Sequence, residues 1–586
     1  MDPIRYALSF PAPHTHYVEV RADVPASGRD RVELMMAVWT PGSYLVREYE
    51  RHVENVAARG EASEPLPIAK TAKNRWSIAT RGAETVAVTY RVYGREMSVR
   101  TNWIEAGFAL INGAPTFLTL ADSPRRPHEV SLTLPAGWSR AVTAMPRVGS
   151  APHRFCAPSY DVLVDSPILA GNPAIYNFTI DGKPHRLVNE GEAGVFDGSR
   201  AARDLEAIAR EHHRFWGSVP YESYTCLNLI TESGGGLEHC DSAVLMTSRW
   251  ATRTRKSYLG WLELASHELF HVWNGKRLRP IELGPFDYER ETHTRSLWVV
   301  EGITDYYGDL LVHRAGLSTR EEFFASLSDK IEMLQTTPGR NVQSMADASF
   351  DTWIKFYRPD ENSPNTSMSY YVKGSVIAFL LDFGIRDVSG GARSLDDVMR
   401  VAYGRFSGER GFTEQEFRAL VEEVAGARFD SFWSSALDDT GELEYSRALE
   451  LVGLRFKAPA PEAGKAPRRA TLGSVTKVDA GRLVISQVRR GTPAYEAGLN
   501  VDDEIIAVDD FRVRSDQLDA RMEQYVAGDR VSLLLARRDR LLRVNVTLGA
   551  EPARTWQLEV DPAATGAQRQ LLDQWLGRPQ MAQTAG

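Results

Sequence analysis

Two histidines and a glutamate stand together in Ser266-His267-Glu268-Leu269-Phe270-His271-Val272-Trp273. Residues four apart share one face of an α-helix, so the imidazoles of His267 and His271 can meet at one metal ion while Glu268 stands beside it as a base. This is the arrangement a zinc peptidase uses to drive water onto a carbonyl. The flanks support a helix: Leu259, Leu262, Ala265, Phe270 and Trp273 recur at helical spacing. Asn274-Gly275 then offers a left-handed stop, followed by Lys276, Arg277, Arg279 and Pro280.

A catalytic zinc takes three protein ligands and leaves a fourth position open. Glu301, thirty positions beyond His271, lies in the apolar helical segment from Ser296 to Tyr307. A carboxylate buried there needs a counter-charge, and a dication is one. Asp305 follows one helical turn later on the same face, where it can accept the free ring N–H of a liganding histidine. His239 is read as structural rather than as a ligand, and His293 as a loop residue.

The elements that must position these groups are legible in outline. Alternation in Val18, Val20, Ala22 and Val24, in Val86, Val88, Tyr90 and Val92, and in Val130, Leu132 and Leu134 predicts β-structure over the first 170 or so residues. Helical periodicity begins near Gly198, and a strand over Thr225 to Ile230 leads into Gly234-Gly235-Gly236-Leu237-Glu238. Gly235 and Gly236 leave bare backbone against which an extended peptide can add as a strand, with Glu238 beside its first residue. Helices resume beyond Leu317, including an apolar one that begins at Ser369-Tyr370-Tyr371-Val372-Lys373-Gly374. A strand is expected over Ala448 to Phe456, a linker over Lys457 to Arg469, and a short amphipathic helix over Ala567 to Leu576.

Composition narrows the class. The chain has 586 residues, 43% hydrophobic and 25% charged, enough for several domains with large cores. A net charge of -8 without a long basic tract argues against a nucleic-acid partner. Cys156, Cys226 and Cys240 fit neither a zinc knuckle nor a disulfide framework, which points to a reducing compartment. The first ten residues hold no signal-like apolar run, and the apolar stretch Gly374 to Phe383 is too short for a bilayer, so a cytoplasmic location without membrane association is expected.

At these residues the sequence resembles the glutamate-zinc peptidases, or gluzincins, the clan of thermolysin and aminopeptidase N. His271-Val272-Trp273-Asn274-Gly275-Lys276-Arg277, Trp298-Val299-Val300-Glu301-Gly302 and Trp39-Thr40-Pro41-Gly42-Ser43-Tyr44-Leu45-Val46-Arg47 resemble the glycyl aminopeptidase family within it. Gly491-Thr492-Pro493-Ala494, Ala497-Gly498-Leu499 and Asp502 to Val508 resemble a PDZ domain, which that family carries at its C-terminus.

The resemblance implies a multidomain α+β fold. Its parts are an N-terminal antiparallel β domain (1–170), a thermolysin-like zinc catalytic domain (171–345) and a helical domain (346–456). After the linker (457–469) come a C-terminal PDZ domain (470–550) and a tail with a short helix (551–586). It implies one zinc ion (Zn2+) per chain on His267, His271 and Glu301, with Glu268 as general base. Glu238, in Leu-Glu-His where aminopeptidase N has Met-Glu-Asn, receives the substrate's α-ammonium. Tyr-x-Lys-Gly carries the oxyanion-binding tyrosine to Tyr371, with Tyr370 competing. Tyr44 and Arg47 belong either to substrate binding or to a Pro-Gly turn.

The implied activity is removal of small first residues, glycine or alanine, from peptides with a free N-terminus. The PDZ domain either takes a peptide or C-terminal tail or is structural, since Thr471-Leu472-Gly473 matches the carboxylate loop poorly. Two alternatives stand beside this reading: a zinc endopeptidase that recruits substrates through its PDZ domain, and a catalytically idle PDZ adaptor.

Overall fold

The architecture is that of a computed structural model, which describes residues 1–458, 469–552 and 555–577. Most of the expected linker lies outside the described residues.

The alternating segments pair as their patterns require. Tyr17–Pro25 runs antiparallel to Thr85–Tyr93, with Val18 opposite Val92, Val20 opposite Tyr90, Ala22 opposite Val88 and Val24 opposite Val86, all buried. Because side chains alternate across a strand, this register puts every apolar member on the core face. The sheet has seven strands, and two four-stranded sheets complete the region up to Gly171. Pairing is mostly antiparallel, except that Ile4–Ser9 and His128–Thr133 run parallel.

A five-stranded sheet comes next, in the order 174–180, 183–190, 224–231, 242–248, 235–238. Alternate residues of its central strands face opposite ways. Cys226, Ile230, Ala243 and Leu245 meet the helices, while Leu227, Leu229, Val244 and Met246 pack with Trp103, Leu110 and Leu169 of the N-terminal domain. The N-terminal domain is thereby seated on the sheet that supports the motif helix. Gly235–Glu238 forms the last strand, antiparallel to Ser242–Ser248.

The helix Tyr370–Val388 runs through the centre of the helical core. The apolar stretch here is longer than its sequence pattern predicts: Ser363–Val388 has the length and mean hydropathy, 1.2, of a membrane span, but 78% of its most apolar stretch is buried in the protein. The strand expected from Ala448 is shorter. Ser446–Leu451 is helical, Gly453 at φ +64° ends it, and only Leu454–Phe456 is extended.

Beyond it, residues 469–552 form a separate small β module with its own core around Leu483, Ile485, Ile505, Leu533 and Leu535. The chain then returns. Leu558–Val560 pairs antiparallel with Leu454–Phe456, and the helix Gly566–Leu576 lays Trp575 fully buried against Phe323 and Phe383. Leu558, Leu572, Trp575 and Leu576 are thus part of the main core.

Candidate active site

The motif helix spans Arg255–Phe270, capped by Thr254, whose side chain accepts the Ser257 N–H. His271 is its C-terminal cap, so both histidines sit on the last turn. Their Nε2 atoms lie 3.0 Å apart, and the Glu301 carboxylate lies 3.1 Å from His271 Nε2 and 3.6 Å from His267 Nε2. Ligand atoms held tetrahedrally at about 2.0–2.1 Å from one zinc ion are separated by about 3.3 Å. The donor set, its chemistry and its spacing therefore fit zinc.

Local sequence explains the convergence. Trp298–Gly302 forms a single π-helical turn ahead of the helix Ile303–Arg314, a feature common at functional sites, and Glu301 stands in it. The Asn274 side-chain amide donates to the carbonyls of Val299 (2.8 Å) and Val300 (3.2 Å) and to Thr304 Oγ1 (3.0 Å), tying this turn to the end of the motif helix. The Asn274 carbonyl accepts His271 Nδ1–H at 2.8 Å, which fixes the tautomer that leaves Nε2 free as a ligand.

Asp305 makes no hydrogen bond to either His267 or His271, contrary to the expectation that it accepts the ring N–H of a liganding histidine. Its carboxylate lies 2.6 Å from Lys330 Nζ, which also pairs with Asp309 at 2.9 Å, and backbone does the work assigned to it at His271.

Glu268 is buried, and burial pushes its carboxyl up to about 7, with Glu238 and Glu301 adding to the rise and the two imidazoles opposing it. A base poised near neutrality suits proton transfer. The strand bearing Gly236 passes so close that a Cβ there would lie 1.9 Å from Glu268 Oε1. Gly235 precedes it at φ +118°, a conformation that favours glycine.

Glu238 ends that strand within 4.8 Å of ligating atoms of Glu268 and His271. Its carboxylate rests on Gly42, where a Cβ would lie 2.4 Å from Oε1. Asp165 anchors the next two residues, accepting from His239 Nδ1 at 3.0 Å and the Cys240 N–H at 2.7 Å, which makes His239 structural.

The two tyrosines separate. Tyr371 lines the cavity with its ring 6.2 Å from that of His267. Burial, then the nearby Glu301, holds its phenol well above the ordinary range, so it is a neutral donor. Tyr370 points into the core, where its hydroxyl accepts from Thr352 at 3.0 Å. Glycine again explains the placement: a Cβ on Gly302 would lie 2.5 Å from the Gly374 Cα, so the Glu301 segment and the Tyr371 helix cross with backbones in contact.

His267, Glu268, His271, Glu301, Glu238, Gly236 and Tyr371 share one cavity of ≈ 470 Å³, which Gly235 does not line. Of the early Pro-Gly motif, Gly42 reaches it, whereas Tyr44 is buried against Trp353 and Tyr357. Arg100, Glu263, Lys330, Phe356 and Tyr357 also line the cavity without having been singled out by sequence. Glu263, one turn before His267, carried a detectable signal as an acid among apolar helix residues; Arg100 carried none.

Residues 5–172 match the family model of the peptidase M61 N-terminal domain, residues 260–377 that of M61 glycyl aminopeptidase and residues 470–548 that of a PDZ domain. The structure is similar to that of an aminopeptidase N family protein from Idiomarina loihiensis, at 30% identity and a TM-score of 0.91 over 98% of this chain and 100% of that one. An M1 zinc metallopeptidase from Deinococcus radiodurans aligns at 15% identity and a TM-score of 0.47, covering 76% of this chain and 94% of the other. Native leukotriene A4 hydrolase from Saccharomyces cerevisiae aligns at 13% identity and 0.46, covering 75% and 68%. A search of curated protein sequences finds no match.

Proposed function

The chain belongs to the M61 glycyl aminopeptidase family and is a zinc aminopeptidase, and we propose that it removes small first residues, glycine or alanine, from peptides with a free N-terminus. One zinc ion per chain would be held by His267, His271 and Glu301. When bound, zinc supplies Lewis-acid polarisation of the scissile carbonyl and of the attacking water.

The protein's own groups do the rest. A carboxylate oxygen of Glu268 takes a proton as water adds to the carbonyl carbon, then delivers it to the leaving nitrogen. The Tyr371 hydroxyl donates to the carbonyl oxygen as negative charge gathers there, carrying no charge of its own to compete. Glu238 accepts N–H bonds from the substrate ammonium, favouring a chain end over an internal bond. Gly235 and Gly236 leave backbone against which the first residues lie as an added strand.

The observation that carries this reading is the convergence of two imidazole nitrogens and one carboxylate oxygen within 3.0–3.6 Å of one another. The test is a panel of aminoacyl amides assayed with and without chelator, alongside zinc content and the Glu268→Gln variant. Turnover of glycyl and alanyl amides should vanish on metal removal and in Glu268→Gln while that variant keeps its zinc. An idle adaptor would be unaffected in function by the substitution. Efficient internal cleavage of N-acetylated peptides would turn the assignment to an endopeptidase.

A further inference from the structure

Two arginines of the N-terminal domain, Arg100 lining the catalytic cavity and Arg47 close enough to feel its charge, form no ion pair among the described residues. The Arg100 guanidinium lines the catalytic cavity, yet among the described residues it makes no side-chain hydrogen bond and no ion pair, and its Nε is buried. Burial disfavours its charge, and the carboxylates of Glu268 and Glu238 are among the groups that hold its pKa up. Arg47 lines a different cavity of the same domain, of ≈ 310 Å³, with Tyr49, Arg51 and Arg95. Its Nη2 donates to Ser43 Oγ at 2.9 Å, but its Nε is also buried without an acceptor, and it too makes no ion pair among the described residues. Burial lowers the Arg47 pKa and the positive charge of Arg100 lowers it further.

Two half-buried guanidinium groups that repel each other, each with a buried Nε that has no acceptor, are costly to the folded protein unless something else supplies negative charge. Their backbones are held firmly. The Tyr49 hydroxyl donates to the Arg100 carbonyl at 3.0 Å, and the Arg47 N–H donates to the Val38 carbonyl at 2.8 Å. A guanidinium presents its donors as a planar fork that matches a carboxylate. The cleft so carries a carboxylate, Glu238, suited to a substrate's cationic end, and a free guanidinium suited to an anionic group.

We propose that Arg100, backed by Arg47, forms a carboxylate-binding site at the catalytic cleft, so that the enzyme favours substrates bearing both a free ammonium and a carboxylate. This rests on the aminopeptidase reading for its placement beside Glu238. The carboxylate can be the C-terminus of a short peptide, an acidic side chain, or a free small acid, and the test separates these sources.

kcat/KM is measured for matched pairs that differ only in charge: glycylglycine against glycylglycinamide, and glycyl-aspartyl amide against glycyl-asparaginyl amide. The wild-type enzyme should favour the charged member of one pair by about tenfold or more, as charge-assisted hydrogen bonds of this kind provide. In Arg100→Gln the preference should fall to within about threefold, Arg47→Gln should be intermediate, and Arg100→Lys should recover only part, because an ammonium lacks the fork. The pair that loses its preference identifies the terminus or the side chain as the source. Acetate that binds the wild-type protein and not Arg100→Gln, with neither pair discriminated, assigns a free acid.

Calorimetric binding of glycylglycine and glycylglycinamide to the Glu268→Gln protein reads the site without turnover. If no peptide is cleaved but Arg100-dependent preference for glycylglycine persists there, the aminopeptidase reading fails and the site stands. Glycyl amides turned over with no charged preference in either pair and no acetate binding, or a preference that survives Arg100→Gln, would overturn the proposal.

Discussion

Asp165 and Lys276 meet at 2.6 Å across the seam between the N-terminal β domain and the turn after the motif helix. Both side chains are largely buried, at 13% and 6% exposure, and the same carboxylate holds His239 and Cys240 just after Glu238. Removing one partner of a buried pair costs about 3–5 kcal/mol, because the other charge is stranded. Asp165→Ala should lower stability by that order in urea unfolding. The Asp165→Ala/Lys276→Met double variant should regain part of it; a double variant as unstable as the single one would remove the ion pair from the explanation.

Gly236→Ala tests the closeness of strand and base. Its Cβ would lie 1.9 Å from Glu268 Oε1, so the strand or the carboxylate must shift. Misplacement by about 1 Å costs on the order of 10²-fold in rate. Turnover of a glycyl amide should fall accordingly with zinc content unchanged. Gly234→Ala, where a Cβ meets nothing within 4 Å, is the control and should stay near wild type.

The tyrosines should part in kinetics as they do in space. Tyr371→Phe removes the oxyanion donor and should reduce kcat by about 10²–10³-fold with KM little changed. Tyr370→Phe removes the bond from Thr352 and should lower stability by about 1 kcal/mol while sparing kcat. Equal kinetic effects would reverse or dissolve the assignment.

Much of the site is readable from residue types and spacing. The His-Glu-x-x-His turn, Glu301 and the glycine strand announce themselves because polar chemistry or bare backbone interrupts otherwise regular patterns. The features that escape such a reading depend on distant contacts. Asn274 looks like a helix stop, and only the fold shows its amide binding Val299 and Val300. Gly302 and Gly374 are visible as motif letters, but their mutual contact belongs to helix crossing. Helical phase matches Asp305 to a ring N–H, and Lys330, arriving from another helix, is invisible to that argument. Arg100 reaches the cavity from a loop of the β domain, where nothing local marks it.

Buried histidines make the fold acid-sensitive. Burial lowers His128 to about 4, aided by Arg126; it likewise lowers His185 to about 4 and His212 to about 3. With folded values below the unfolded value of about 6.5, the unfolded chain takes up protons that the native protein refuses as pH falls. Stability present above about pH 6.5 should therefore be lost progressively down to about pH 4. His128→Gln should flatten that slope in unfolding midpoints compared between pH 7.5 and 5. An unchanged slope would assign the acid sensitivity elsewhere.

The pairing of Phe456 with Leu558, and the return of Trp575 to a site where its indole N–H donates to the Tyr306 hydroxyl at 2.7 Å, make the PDZ module an interruption of the peptidase body. Its two ends leave and re-enter one hydrophobic mass. Cutting the gene short at residue 456 would strip a tryptophan from beneath the very helix that succeeds Glu301, confusing loss of the module with collapse of the enzyme. Its role is open to study only by excision, with the chain rejoined across the two-stranded clasp.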